Sequence, residues 1–382
     1  MKIKQKVAII YRYIPQYRYG FYERLRNRLF DEGVELILIY GQPGANDRLK
    51  GDAVEIPWGI KLRNRILRIG RTELYWQPAM KYIWDADLVI VEQANKLLLN
   101  YYLILMNVLG CKKIAFWGHG KNFKSTSRNK TSELIKKWIS SKVFWWFAYT
   151  EKCAQIVREN GFPPDQITVV QNAIDTKNLI DSRKKMSTEQ INELKEALHI
   201  KGSKVGLYVG AMYNERKLDF LLESCNLIRS YVRDFEMIFI GKGKDQQSVE
   251  IMAQENQWVH YIGPKFDDEK IPYFALADVF LMPGSVGLAI LDCFALEVPL
   301  ITIEDPDHGP EMEYLKNGVN GIIVKDVYKP DQYAQAVSQI LGDEEIHKSL
   351  IEGCKKSAEK YTLEQMVENF TQGVLKAIHD IA

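Results

Sequence analysis

The sequence predicts an α/β protein of two Rossmann-like domains whose parallel sheets face a cleft. Three observations carry that expectation. Short β-rich runs alternate with longer helical stretches along the chain. Most of those runs are continuously apolar rather than alternating. A single polar stretch at 176–203 divides them into two series of similar size. Continuous Val/Ile/Leu/Phe runs mark strands buried on both faces, as in parallel sheets covered by helices. Two βα series then make two doubly wound domains.

In order, the first series has strands at 7–11, 34–40, 88–92, 113–117, 146–150 and 168–171, with helical patterns such as 22–31 and 132–141 between them. The stretch 176–203 is polar, holds one helix at 188–199, and reads as the connection between domains. The alternation restarts at 204–209 and continues through 235–240, 259–262, 279–282, 299–303 and 321–324. Residues 362–382 read as a terminal helix, opened by the capping box Thr362-Leu363-Glu364-Gln365. The expected domains are therefore 1–175 and 204–361. The terminal helix is expected to pack back toward the first domain.

A length of 382 residues suits two domains of about 150 residues each. Apolar residues at 46% and charged residues at 26% are ordinary globular proportions, which excludes a disordered chain, a collagen-like repeat or a disulfide miniprotein. The net charge of +2 gives no reason to expect nucleic-acid binding, but it hides an asymmetry. Residues 1–175 hold 28 Lys and Arg against 16 Asp and Glu, a net of +12, whereas residues 176–382 net −10. The two halves should meet different partners. Five scattered cysteines without metal or redox spacing point to a reducing, cytoplasmic compartment. The apolar run near the N-terminus is too short for a signal-peptide core. The longest apolar stretch, 97–109, is shorter than the ~20 residues of a membrane span.

Four junctions carry polar groups where open α/β sheets bind ligands, just past the carboxyl ends of strands. Gly118-His119-Gly120 follows the 113–117 strand. Its histidine is either a hydrogen-bonding group for a ligand or a turn residue capping the next helix. Gly210 closes the 204–209 strand, and Arg216 and Lys217 stand where the following helix begins. Cations beside free backbone amides suit a diphosphate, although solvated basic residues would read the same way. Gly241-Lys242-Gly243 is a second glycine turn, weak by itself. Met282-Pro283-Gly284-Ser285-Val286-Gly287-Leu288 leads into a helix carrying Asp292, a carboxylate suited either to a pair of ribose hydroxyls or to the helix dipole. The acidic loop 304–311, with Asp305, Asp307, His308 and Glu311, resembles a metal site in composition. Pro306 and Pro310 instead make it a stiff loop, and no metal is expected.

Taken together, these stretches resemble glycosyltransferase family four, of the GT-B fold. Val169-Val170-Gln171-Asn172-Ala173-Ile174-Asp175 is similar to the family's v-x-P/Q-N-G-V-D segment. Gly210 through Arg216 is similar to G-R-L-x-x-x-K-G, and 239–243 to i-v-G-x-G. The segment 287–301 is similar to G-L-x-x-L-E-A-x-A-x-G-x-P-V-I. Pro310-Glu311 with 317–321 is similar to P-E-x-v-x-x-G-x-N-G. The resemblance covers nearly the whole chain and is strongest from about 168 to 324. It implies a retaining, metal-independent transfer from a nucleotide sugar held mainly by the second domain. Arg216 would hold the diphosphate, Asp292 the ribose, and His119 and Glu311 would lie near the donor sugar. Gly210, Lys217, Gly241, Lys242, Gly284, Val286, Gly287 and Leu288 complete the donor set, and Tyr17 and Arg18 fall on the acceptor side. Three positions depart from the pattern. Ala211 replaces a usual arginine, leaving Lys217 or Lys242 to substitute for it. Gly284 replaces the first glutamate of the pair, and Asp292 is one methylene shorter than the second. Pro15 with Tyr17-Arg18, W-G-H-G, P-G-x-V-G-L and H-G-P-E occur together in a bacterial polysaccharide-type subset, so the departures read as a subfamily trait.

The reaction so implied uses a UDP- or GDP-sugar as substrate, needs no cofactor, and transfers a hexosyl or N-acetylhexosaminyl group to a glycan or lipid-diphosphate-linked acceptor. Arginine and glycine amides would stabilise the charge that develops on the leaving phosphate. The rival readings are a two-domain nucleotide-sugar epimerase and a non-catalytic nucleotide- or glycan-binding protein. Arg63, Arg65, Arg68 and Arg71 interleave with apolar residues, and Lys136, Lys137 and Trp138 precede Lys142, Trp145 and Trp146. Basic residues beside aromatics suit an anionic membrane face, although Trp145 and Trp146 also fit a buried strand and basic helices also face water. Peripheral association with the inner face of the cell membrane is therefore expected.

Overall fold

The structure is a computed structural model that describes residues 5–48, 51–70, 72–120, 139–325 and 329–380. The chain divides into two compact units, residues 1–175 with 363–382, and residues 176–362.

The first unit is built on a seven-stranded sheet. Its strands are β1 (Gln5–Tyr11), β2 (Val34–Tyr40), β3 (Ile60–Lys61), β6 (Leu88–Glu92), β7 (Lys113–Gly118), β8 (Trp145–Ala148) and β9 (Ile167–Val169), in the order β3-β2-β1-β6-β7-β8-β9. Every pairing in it is parallel. Sheet order reverses between β1 and β6, a topological switch point. The apolar runs form strands because helices cover both faces: Val89, Ile114, Phe116 and Trp146 are buried in one core cluster. A feature absent from the expected element list is the antiparallel hairpin of β4 (Arg65–Ile69) and β5 (Thr72–Trp76). Its exposed basic positions interrupt the continuous apolar run that marks a buried strand. The helix expected at 132–141 lies almost wholly outside the described residues, as do Arg71, Lys136, Lys137 and Trp138.

The terminal helix Leu363–His379 belongs to the first unit. Phe370 packs on Phe147 at 4.4 Å, Trp117 at 5.1 Å and Phe21 at 5.4 Å between ring centroids. Gly373 permits the approach, since a Cβ there would lie 2.5 Å from the Thr168 hydroxyl.

The second unit carries a six-stranded sheet of β10 (Lys204–Val209), β11 (Phe235–Ile240), β12 (Val259–Gly263), β13 (Val279–Leu281), β14 (Leu300–Ile303) and β15 (Gly321–Val324). Its order is β12-β11-β10-β13-β14-β15, all parallel, with the switch point between β10 and β13. The stretch 176–203, expected as a connection, is instead part of this unit. It folds as helices Lys177–Lys185 and Thr188–Ala197, the second opened by a capping box between Ser187 and Gln190. Both pack on helix Ile271–Leu276. Leu179 is buried there, and Met186, Leu194, Ile271 and Pro272 line one cavity, so a polar stretch holds to the unit through a few apolar contacts.

Candidate functional site

The residues singled out at the second sheet converge on its switch point. After β10 the chain passes Gly210, and the Gly210 amide donates to the Ile240 carbonyl at 2.9 Å. The Met212 amide likewise donates to Lys242 at 2.9 Å, which zips the 210–213 loop to the 241–243 turn. Glycine is required on that seam. A Cβ on Gly241, at φ +142°, would lie 1.9 Å from the Gly210 carbonyl oxygen, and one on Gly243 would lie 2.1 Å from that of Met212. Lys242 and Lys244 remain exposed on the turn.

One turn, Asn214–Arg216, then carries the chain to helix Leu218–Tyr231 through Lys217, which is left-handed at φ 54°. The Arg216 Nη1 donates to the Ser285 carbonyl, approaches the Val286 carbonyl at 3.4 Å, and contacts the Met282 sulfur at 3.1 Å. Arg216 thereby ties the loop after β10 to the loop after β13. Lys217 Nζ pairs with Asp305 Oδ2 at 2.8 Å. Burial pushes the Asp305 carboxyl up, but Lys217 and the Asp307 amide outweigh it and hold it below its usual range. Lys217 is thus engaged by a carboxylate, and its charge is largely spent inside the protein.

The 282–288 loop is shaped by positive φ at Ser285 (36°) and Gly287 (59°). Val286, expected in the donor set, is fully buried, with its amide taken by His308 and its carbonyl facing Arg216, whereas Gly287 and Leu288 are half-buried. His308 latches the loop from below. Its Nδ1 accepts from the Val286 amide at 3.3 Å, and its Nε2 faces the Ile303 carbonyl at 2.8 Å. Burial lowers its pKa, which favours the neutral ring that this bonding requires. The acidic loop is therefore a brace, with Asp305 and His308 occupied by protein partners. Among the described residues no group of three or more metal-ligating side chains is present. Glu311 is buried in the turn Pro310–Tyr314. A Cβ on Gly309 would lie 2.7 Å from Glu311 Oε2 and 3.9 Å from the Gly287 Cα, which places this carboxylate beside the glycine loop. Asp292, on helix Ala289–Ala295, is 9% exposed and its Oδ2 pairs with Lys270 Nζ at 2.6 Å. Lys270 carries no signal in the sequence, where it closes an Asp-Asp-Glu-Lys run that reads as solvated.

The first unit holds a separate polar cluster at the carboxyl edge of its sheet. His119 follows β7 and meets the Tyr149 ring edge-on at 4.4 Å. Burial, with the nearby Arg18 charge second, pushes the imidazole down to about 4. Both flanking glycines are needed for packing. A Cβ on Gly118 would lie 2.7 Å from the Gln93 Cβ, and one on Gly120 (φ +75°) would lie 2.8 Å from the Val157 methyl.

Arg18 corrects an expectation. It is 1% exposed and cannot offer its guanidinium to an acceptor. Nη2 donates to the Asn172 side chain, and the rings of Tyr17, Trp117, Tyr149 and Phe21 surround the group at 5.0–5.8 Å. Arg18 is an internal cation that joins the loop after β1 to the segment after β9 and depresses His119. Tyr17 itself is exposed. Trp145 and Trp146 are buried in β8, in keeping with the strand expected there, and present nothing to a membrane.

Two doubly wound units, with an arginine braced among glycine loops at the switch point of the second, define the class by architecture: the fold is GT-B. Residues 203–343, within the second unit, match the family model described as glycosyl transferases group 1. An uncharacterised glycosyltransferase of Methanocaldococcus jannaschii is 25% identical over 194 residues, 49% of this chain and 52% of that protein. The chain spans about half the length of the curated relatives it matches. Among solved structures, a glycosyltransferase of Rickettsia africae superposes with a TM-score of 0.69 at 14% identity, covering 99% of this chain and 100% of that one. HepE of Anabaena, solved with UDP-glucose, superposes at 0.68 and 13% identity, covering 97% and 100%. These likenesses show a shared GT-B fold.

Proposed function

We propose that this protein is a retaining glycosyltransferase that moves a sugar from a UDP- or GDP-sugar to a glycan or lipid-linked acceptor in surface polysaccharide biosynthesis, without a divalent metal. The observation that carries the reading is Arg216, fixed through Nη1 by two loop carbonyls at the switch point beside the 210–213 and 241–243 glycine turns. A guanidinium so braced offers its remaining N–H groups to a diphosphate with little entropy left to lose. As the sugar–phosphate bond breaks, charge grows on the β-phosphate, and a fixed cation stabilises it more than it stabilises the intact donor. Asp292 takes the ribose, and Glu311 beside Gly287 takes donor hydroxyls. His119, neutral at pH 7, hydrogen-bonds the donor sugar without adding a charge. The leaving phosphate accepts the acceptor's proton, which accounts for retention without a protein base.

Support for a lipid-linked acceptor comes from the first unit. Leu67 and Ile69 are exposed on the hairpin that carries Arg65 and Arg68, and Tyr101, Tyr102, Leu105, Val108 and Leu109 are exposed along and just past helix Leu98–Val108. Among the described residues no helix is long and apolar enough to cross a membrane, so the reading is surface contact. The experiment is turnover of UDP- and GDP-sugars with glycan and lipid-diphosphate acceptors, with the product anomer read by NMR. An α-linked donor giving an α-linked product agrees with the proposal. Inversion refutes the retaining mechanism, and conversion of free nucleotide sugar without acceptor favours the epimerase.

A further inference from the structure

Asp292 is tied to one partner and closed on its other side. Its Oδ2 lies 2.6 Å from Lys270 Nζ, both side chains are about 13–14% exposed, and its Oδ1 is buried with no hydrogen-bond partner. The counter-charge therefore comes from Lys270, and the pair meets solvent away from Oδ1. Both residues are held from behind. Lys270 precedes the buried Ile271 at the junction of the turn Asp267–Lys270 and helix Ile271–Leu276, and Asp292 sits between the buried Leu291 and Cys293. A carboxylate only accepts hydrogen bonds, whereas an ammonium holding one carboxylate keeps two further N–H donors. A carboxylate and an ammonium joined in this way offer one acceptor and one donor side by side. That is the complement of a vicinal diol, in which one hydroxyl donates and its neighbour accepts.

We infer that Lys270 and Asp292 read the ribose diol of the nucleotide as one unit, with Lys270 both orienting the carboxylate and donating to the second hydroxyl. The inference rests on the donor-site reading of Asp292 and adds a specificity residue to it. Two observations favour the pair over Asp292 alone. Oδ1 is sealed, so a ligand approaches the edge where Lys270 sits. The aspartate, shorter than the glutamate of the related motif, also reaches less far from its helix, which leaves room that the lysine fills.

The test is calorimetry with UDP, 2′-deoxy-UDP and 3′-deoxy-UDP, with GDP and its deoxy forms in parallel, on the intact chain and on Lys270→Met, Lys270→Gln, Lys270→Arg and Asp292→Ala. Wild type should favour the ribonucleotide by about tenfold or more, the scale of a hydrogen bond to a charged group. Lys270→Met should bring that ratio to within about twofold, and Lys270→Arg should restore part of it. A purely structural lysine would weaken ribo and deoxy forms alike and leave the ratio unchanged. Lys270→Gln keeps a donor on the carboxylate and covers the case in which the methionine variant fails to fold. A ratio unchanged in a folded Lys270→Met protein, or a ratio lost alike in Lys270→Gln and Lys270→Arg, with the ratio also lost in Asp292→Ala, overturns the donor role of Lys270 and leaves the reading of Asp292 standing. A ratio unchanged in Asp292→Ala as well overturns both.

Discussion

Gly284 lies against the backbone of Glu215 so closely that a Cβ at Gly284 would stand 2.3 Å from the Glu215 carbonyl oxygen. The same Cβ would be 2.9 Å from the Arg216 carbonyl carbon. The loop after β13 therefore touches the turn that carries Arg216 through a position with no side chain. Where related motifs place a glutamate, this protein uses the space for backbone. The departure is a packing requirement of the Arg216 turn.

Gly284→Ala should accordingly displace the 214–217 turn. Overpacking of this kind costs about 1–3 kcal/mol, read as a lower denaturant midpoint, and nucleoside diphosphate affinity should fall with it. Unchanged stability and affinity would mean that the turn gives way freely.

Arg216→Ala should weaken nucleoside diphosphate binding by about 2–4 kcal/mol, the scale for truncating one partner of a charge pair. Asp292→Ala should cost less, because a ribose contact is a single charge-assisted site. Equal calorimetric affinity in wild type and both variants would move the donor site elsewhere.

His119 links burial to pH. Its ordinary value of 6.5 falls to about 4 in the folded protein, so the unfolded chain binds a proton that the folded protein refuses. The stability linked to this group is full above about pH 6.5 and is lost as pH falls through 6.5 toward 4. Denaturant titrations between pH 4.5 and 7.5 should show that slope in wild type and a shallower one in His119→Gln. His119→Ala should lower turnover by about 10²–10⁴-fold. A variant within twofold of wild type in kcat and KM would return the residue to a turn role.

Turnover should survive excess chelator. In the acidic loop Asp305 is paired with Lys217 and His308 is spent on the Val286 amide and the Ile303 carbonyl, so two of the candidate ligands already have protein partners. Activity lost on chelation and restored by manganese would promote Asp305, Asp307 and His308 to ligands.

Co-sedimentation with anionic vesicles at low salt should succeed and should weaken at high salt, since each cation near the surface contributes about 1 kcal/mol. Replacing Leu67 and Ile69 with serine should reduce it. Absence of binding to anionic vesicles at low salt would point to a soluble acceptor.

Strands were legible in the chain because parallel strands buried on both faces must be continuously apolar. The expected spans 34–40 and 88–92 coincide with β2 and β6. The glycine turns were legible because backbone seams such as 210–241 admit no Cβ. Partnership was not legible, since pairing across long sequence separation leaves no local pattern. Lys270 meets Asp292, Lys217 meets Asp305 and His308 meets Val286 only once the strand order brings loops from different crossovers to one switch point. The same holds for burial. Arg18 is expected on the acceptor side, whereas packing against Trp117, Asn172 and Met366 turns it inward. The local chain determined the strands, turns and candidate chemistry of this protein. Tertiary structure decided which charges face a ligand and which are spent on one another, because a charge in water and a charge beside a buried partner look identical in one dimension.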